Sequence, residues 1–501
     1  MPPPTAELPV TAHPAGPSTR TLFFSVFPSI MLPMFLAALD QTIVATALPA
    51  IAGDLGDVER VSWIVVSYLV ATTIAAPIYG RIGDVLGRRR MMFVALAVFM
   101  AASVLCAMAR GVIPLSFARV AQGLGGGGLM TLSQALVGES VPPRERARFQ
   151  GYLATVYMSA STFGPVAGGW LTQHFGWQSV FLINLPLGVL ALVLAYRLPI
   201  RKTGGGKLVF DFWGTLLFAA FVIPTLLALE RVQRFDLAAL PIMGALFAMA
   251  IAALVLLLRQ EKRAPFPLLP LKLLGQPAIW RSDAMAMCVG ATLISMISFL
   301  PMYLQVVRGT TPSQTGFLIL PLTAGVAFGS LLTGRVIAFT GRTAILPSIG
   351  LMVSAGSLLF LGLFAHHLTT TQLPWMFALA SLSLGTAMPV VQTTVQMVAG
   401  PKMLGSAAAS VQFSRSVGAA LGTATVGAVL FAALTAIDPH TATMFADLVE
   451  RGPTVLASQT ADQAALIQAE IARAFRIAFT AVAVFAGCGA VLAWSIPLRR
   501  I

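Results

Sequence analysis

The chain has 501 residues, 57% of them hydrophobic and only 10% charged, with a mean hydropathy of +0.85. A soluble protein of this size carries about a quarter charged residues, so the composition excludes an ordinary soluble enzyme and specifies a chain that crosses a membrane many times. The net charge of +14 does not argue for nucleic acid, because no basic run is interleaved with aromatics on a soluble segment. Basic residues retained in cytoplasmic loops give the same excess.

Residues 1–21 are rich in proline and aperiodic, which predicts a disordered cytoplasmic tail. The first apolar run is too long for a signal-peptide core, so no cleaved leader is expected. Apolar runs of bilayer-spanning length, about 20 residues each, then follow at 22–50, 61–80, 91–109, 112–137, 149–173, 178–198, 212–230, 237–258, 282–306, 314–334, 344–365, 373–398, 405–436 and 474–497. This predicts an all-α membrane protein of fourteen helices with both termini on one face. With those termini cytoplasmic, 22 of the 32 lysines and arginines fall in inner segments and eight in outer ones. The other two, Arg119 and Arg415, lie inside helices. That bias is the positive-inside pattern and assigns the orientation.

The first polar interruption, Gly80 to Arg90, reads as a tight cytoplasmic loop with glycines at 80 and 87, Asp84 between them and a basic cluster from Arg88. It returns as Gly334 to Arg342 at the same spacing, with Ala338 where Asp84 stood. A second echo carries Pro114, Phe117, Ala118, Leu124 and Gly125 onto Pro374, Phe377, Ala378, Leu384 and Gly385. Two homologous halves follow from both together: a first six-helix bundle over 22–198, a linker with two extra helices over 199–260, and a second bundle over 261–501. Duplicated bundles with a site near the midplane are how many secondary transporters are built.

Asp40 reads as the only acidic residue well inside a predicted helix. Such a carboxyl group costs several kcal/mol unless paired, hydrated or protonated, and often marks an ion or proton path. Apolar burial favours its neutral form and a nearby cation its ionised form, so a moving environment can exchange a proton. Asp40 and Arg119 are expected at similar depth, roughly 10–12 Å below the outer surface at ~1.5 Å per residue, which makes Arg119 the candidate counter-ion. Arg415, in the inner half of its helix, is a poor partner for Asp40. It is divided between an inter-bundle tie and the substrate pathway. The run Gly125–Gly128 lies mid-span, where small residues allow close helix approach. Cys106, Cys288 and Cys488 fall in apolar runs and read as small hydrophobes, with no metal site. His366 and His367 fall in an outer loop. Residues 460–474 suggest an amphipathic helix on the outer face, or a disordered loop. No GxxxxGK[ST] pattern is present, and Thr203 to Lys207 lacks its spacing, which disfavours an ATP-driven pump.

The loop at 80–90 resembles the signature loop between helices 2 and 3 of the major facilitator superfamily. The run Leu39 to Val44 with Ala47, Leu48 and Pro49 resembles the first-helix motif of the fourteen-helix drug:proton antiporters in that superfamily. Arg119, Gln122 and Gly123 resemble their fourth-helix motif, Gly164, Pro165, Gly168 and Gly169 their fifth-helix antiporter motif, and Trp177, Phe181, Asn184, Pro186 and Gly188 their sixth-helix motif. Val85 stands where that family usually has a basic residue. The resemblance covers about 22–500. It implies a proton-coupled antiporter, powered by the proton gradient without a cofactor, that exports small lipophilic or cationic organic compounds such as drugs from the inner membrane. The implied roles are proton coupling for Asp40 and Arg119, gating for Gly80, Asp84, Gly87 and Arg88, and sealing of the pathway against the opposite bundle for Gly164 to Gly169. Gln41, Asn184 and Arg415 are candidates for the substrate pathway, Asn184 reading first as an interhelical hydrogen bonder. Expected partners are the substrate, protons and the bilayer. The chain is expected to act as a monomer, with an adaptor protein left open. A dedicated exporter of one metabolite, lipid or antibiotic, and an uncoupled facilitator, stand as alternatives.

Overall fold

A computed structural model describes residues 23–57, 60–198, 210–233, 240–451, 461–498 and 500. The expected tail, the start of the linker at 199–209 and the outer segment 452–460 lie outside the described residues. Within them the chain is helical, apart from one isolated bridge between Arg342 and Arg500. In chain order the helices are α1 (Phe27–Leu55), α2 (Ser62–Leu86), α3 (Arg88–Ala107), α4 (Val112–Ser140), α5 (Pro143–Phe175) and α6 (Ser179–Ala195, interrupted at Ile183). There follow α7 (Phe212–Gln233), α8 (Leu240–Arg263), α9 (Pro277–Met302), α10 (Pro312–Thr340), α11 (Ile345–Phe364) and α12 (Leu373–Ala399). The last are α13 (Leu404–Ile437), α14 (Pro439–Arg451) and α15 (Ala461–Ser495). Eleven of the described helices are long and apolar enough to cross a membrane. Of the others, α4 and α5 have the length, at 29 and 33 residues, but carry polar side chains and glycines.

Local chemistry sets the ends. α1 stops at Gly56, whose φ of 71° is left-handed. α10 starts with a capping box, Thr311 and Gln314 each bonding the other's backbone N–H around Pro312, and stops at Gly341 with φ 66°. α14 starts under Asp438, which accepts the backbone N–H groups of His440 (3.1 Å) and Thr441 (3.2 Å). Those two amides hold its carboxyl below the usual range. The two internal echoes keep their register: α2 and α10 end at matched positions, Leu86 and Thr340, and α4 and α12 begin and end at one offset to within a residue.

Three expectations change. The stretch from Gly80 is not a loop: α2 runs through Leu86, and the chain breaks only at Gly87, whose φ of 99° suits glycine. One glycine suffices because α3 restarts at once with Arg88. The amphipathic stretch at 460–474 is no separate surface helix, since α15 runs unbroken from Ala461. Its apolar face, Ile467 and Ile471, is buried with Phe445 and Leu448 of α14 instead of lying on lipid. Finally, Asp40 is not the only acid inside a helix. Pro277, pre-set for a first helical turn, starts α9 five residues before the expected 282, which places Asp283 inside the helix and only 8% exposed. Glu139, its side chain 8% exposed, and Asp84 lie inside α4 and α2.

Within the first part of the chain α1 packs on α5 and α2 on α4; in the last part α9 packs on α13 and α10 on α12. Contacts between the two parts run through α2 with α13 and α5 with α10. If the echoes pair α2 with α10, these two contacts exchange under a pseudo-two-fold. α7 lies over the seam between α2 and α13, its Phe218 ring 5.2 Å from Phe413 and its core shared with Val70 and Ile74. Both ends of the described chain sit at one end of the molecule. Phe27 packs edge-on to Phe149 of α5 at 5.2 Å, and Leu498 accepts the Thr343 hydroxyl at 2.7 Å. That end carries Arg144, Arg146, Arg148 and Arg342 and is called the basic end below.

Candidate functional site

Asp40 sits in the middle of α1 with no exposed surface, and Arg119 on α4 is 1% exposed. The structure brings them together. Arg119 Nη1 donates to Asp40 Oδ2 at 2.6 Å and to Gln122 Oε1 at 2.7 Å, and its Nε donates to the Ile64 carbonyl at 3.2 Å. The other carboxyl oxygen, Oδ1, accepts Gln122 Nε2 and Asn184 Nδ2, both at 2.8 Å. Ser103 Oγ accepts the same two amides, at 2.8 and 3.3 Å. The Arg119 guanidinium lies 4.0 Å from the centre of the Tyr68 ring, and Tyr68 donates its hydroxyl to the Ala37 carbonyl at 3.2 Å. Each of the three side chains that bond Asp40 thus points an N–H at it.

One atom lacks a partner in this cluster: Asn184 Oδ1 is buried without a hydrogen bond. If Asp40 took up a proton, half a turn of that amide would offer its oxygen to the new O–H. Asn184 thus belongs to the carboxylate cluster and not to the substrate cavity, in line with its first reading as an interhelical hydrogen bonder. Ser103 and Tyr68 were not legible as members. Both are common residues in spans, and only the crossing of α2 and α3 over α4 brings them in. That crossing is close because Gly123 and Gly127 meet the α2 backbone at Tyr68 and Thr72, while Gly125 meets α3 at Phe99.

Asp84, two residues before the end of α2, reaches across to the other part of the chain. Its Oδ1 accepts the Gly405 amide at 2.8 Å, and its Oδ2 accepts the Ser406 amide (3.0 Å) and hydroxyl (3.1 Å). It caps the N-terminus of α13, which has no side-chain cap of its own. Arg88 then ties Asp84 to Glu139 of α4. Gly80 makes room for this: a Cβ there would lie 2.5 Å from the Gly405 carbonyl oxygen. Val85 makes none of these bonds; Arg88 supplies the cation. α5 and α10 also meet near the basic end, a Cβ on Gly334 falling 2.6 Å from the Ala147 carbonyl. In this structure the basic end is closed.

Asp84→Ala should loosen that closure. It removes three accepted hydrogen bonds at a helix start, where one cap is worth about 1 kcal/mol. In a chain freed of native cysteines, Ala135→Cys, which is buried against Leu404 and Ala408, should then react with an impermeant maleimide about tenfold faster. An unchanged rate would mean that the clamp does not hold the end shut.

The antiporter-motif glycines do not face the opposite part of the chain. A Cβ at Gly164 would meet Thr42 of α1, 2.9 Å from its Cβ, and one at Gly168 would lie 2.5 Å from the Ile43 carbonyl oxygen. Gly169 has open space around it. The motif packs α5 on α1 within the first part, beside Asp40. α5 meets α10 through other residues, from Gly151, where a Cβ would lie 2.7 Å from the Ser330 carbonyl, to Thr162, whose hydroxyl donates to the Thr323 hydroxyl at 3.1 Å. Pro165 removes the backbone donor at that level of α5.

A cavity of about 110 Å³ lies between the two parts of the chain. Gln41, Tyr157 and Gln134 line it from the first part and Gln392, Gln412 and Arg415 from the second, among methionines and leucines. Gln41 and Arg415, both candidates for the substrate pathway, meet here; Asp40, next to Gln41, does not open into it. The Arg415 guanidinium stacks on the Tyr157 ring, 4.7 Å from its centre, and Nη2 donates to Gln412 Oε1 at 3.1 Å. No group of histidines, cysteines and acids that could hold a metal occurs among the described residues.

A family model described as Major Facilitator Superfamily matches residues 30–423. The chain is 33% identical over 420 residues, 82% of its length, to the multidrug transporter protein MdtP of Bacillus subtilis, of which it covers 76%. It is 32% identical over 404 residues to an uncharacterized MFS-type transporter of Mycobacterium tuberculosis, of which it spans 59%. Among solved structures, the human organic anion transporter MFSD10 superposes with a TM-score of 0.65, over 94% of this chain and 99% of that one, at 15% identity. A likeness at that identity shows the fold alone.

Proposed function

The chain belongs to the Major Facilitator Superfamily, and from that premise we propose that it is a proton-coupled antiporter that exports small organic compounds. The fold and family are those of a membrane transporter, not of an enzyme. The observation that carries the coupling is the buried Asp40–Arg119 pair with its ring of N–H donors. A carboxylate so enclosed holds its charge while the cation stays in place and takes a proton when the cation withdraws. The reading also takes all fourteen helices at the expected spans as crossing the membrane. They divide into bundles over 22–198 and 261–501 with the extra pair in the linker. The basic end faces the cytoplasm of a cell whose inner membrane holds the protein as a monomer.

On this reading the structure is the state closed to the cytoplasm, with Asp40 ionised. Proton uptake at Asp40 would free Arg119, weaken the contacts that α4 makes with α1, and let the halves rock. Cytoplasmic opening then requires the Asp84 cap on α13 to part. The cavity between the halves, near the midplane, is where substrate would wait.

Inverted vesicles containing the full chain test the reading. An imposed proton gradient should drive accumulation of a fluorescent organic substrate, and an uncoupler should collapse it to the level of vesicles lacking the protein. Flux that ignores the uncoupler would make the protein a facilitator.

A further inference from the structure

Arg415 lies eleven residues into α13, roughly 16 Å along the helix at ~1.5 Å per residue, which is deep in the span. A guanidinium at such depth is costly unless a counter-charge or water meets it. The chain shows the usual solution at Arg119, which has Asp40. Arg415 has no carboxylate within ion-pair distance among the described residues. Its recorded partners are one neutral amide, Gln412, and the face of Tyr157, whereas a guanidinium has five N–H donors. The buried acid on the neighbouring helix, Asp283, is engaged instead by the Ser410 hydroxyl at 3.3 Å.

The surroundings agree. Among the described residues lining the cavity Arg415 is the one charged side chain, and no aspartate or glutamate accompanies it. Its backbone is pinned, because α9 approaches so closely at Gly290 that a Cβ there would collide with the Arg415 carbonyl. Gln41, Gln134 and Gln412 add neutral hydrogen-bonding groups, and Leu293 belongs to the apolar wall. A lipophilic cation entering this cavity would meet a like charge and no acid. An organic anion would supply the charge that Arg415 lacks and lay its apolar body on the rest.

We propose that this cavity is selective for amphipathic organic anions, with Arg415 pairing with the carboxylate or sulfonate of the substrate and Tyr157 holding the guanidinium in place. The proposal rests on the export reading above and replaces the cationic substrates expected from family resemblance. The energetics are compatible: an anion leaving the cell in exchange for an entering proton moves two charges in the direction favoured by a membrane potential negative inside.

Two probes with one fluorophore separate the classes: dansylglycine, an anion, and dansylcadaverine, a cation. Inverted vesicles with the wild-type chain should accumulate dansylglycine at least about tenfold faster than dansylcadaverine. Arg415→Gln should lose about tenfold of that flux, Arg415→Lys should keep part of it, and Arg415→Glu should reverse the preference. Dansyl emission on the purified full chain should show dansylglycine binding weakened about tenfold by Arg415→Gln, a readout independent of coupling. Uncoupler-sensitive uptake of dansylcadaverine without dansylglycine would overturn the anion assignment and leave proton-coupled export standing. Uptake of dansylglycine that the uncoupler does not touch would do the reverse. Equal dansylglycine binding by wild type and Arg415→Gln, or none by either, would remove Arg415 from substrate recognition and overturn the assignment.

Discussion

Asp40→Asn is expected to abolish proton-driven export while leaving the protein inserted in the membrane. The asparagine keeps the shape and can still accept Arg119 through its carbonyl, so α1 and α4 stay packed. It cannot ionise, so no proton can be taken up or released. Its NH₂ would also face Gln122 and Asn184, which both donate to Asp40 in the wild type, and those amides must turn. Gradient-driven accumulation in inverted vesicles should fall by at least about 100-fold, the factor that corresponds to ~2.7 kcal/mol. Wild-type accumulation in the variant, equally sensitive to an uncoupler, would show that Asp40 does not carry the proton. Arg119→Ala removes one partner of a fully buried pair, which typically costs ~3–5 kcal/mol. It should therefore lower the amount of folded protein as well as uncouple what remains.

Export should also be lost, again by roughly 100-fold, in Gly168→Leu, but for a reason that the motif resemblance alone does not reveal. The new side chain would have to occupy the space of the Ile43 carbonyl and the Thr46 hydroxyl on α1. α1 would be pushed away from α5, and Asp40, three residues before Ile43, would leave its donors. A paired change distinguishes this from a seal against the other half. Gly164→Ala clashes with the Thr42 side chain, so adding Thr42→Gly should recover much of the activity, less the ~1 kcal/mol that a helical glycine costs. If Thr42→Gly brings no recovery and a substitution on α10 does, the motif closes the gap between the halves and the present packing account is wrong.

Much of the fold was legible because a bilayer simplifies the problem. Backbone groups must be satisfied within each span, so apolar length and basic flanks place helices without knowledge of their neighbours. The places where this failed are instructive. Glycine at position 80 suggested a loop, since spacing cannot separate a glycine that turns the chain from one that admits another backbone. Its partner Gly405 is more than three hundred residues away. Asp283 escaped notice because it falls second in the run expected from 282, at the edge of the span, while the helix begins five residues earlier at Pro277.

The sequence by itself determined that the chain is helical and crosses a membrane, that its two parts echo each other at α2 with α10 and α4 with α12, and that Asp40 and Arg119 are buried charges needing an explanation. These follow from transfer energies and periodicity, which are properties of single segments. Only the tertiary structure decided what meets what. It closed Asp40 in a ring of donors from α4 and α6, set the Gly164–Gly168 face against α1, placed Asp84 as a cap on α13, and left Arg415 facing the cavity without a carboxylate from any described residue. Each depends on how helices distant in sequence cross, and crossing is set by side-chain fit between surfaces that no single segment encodes.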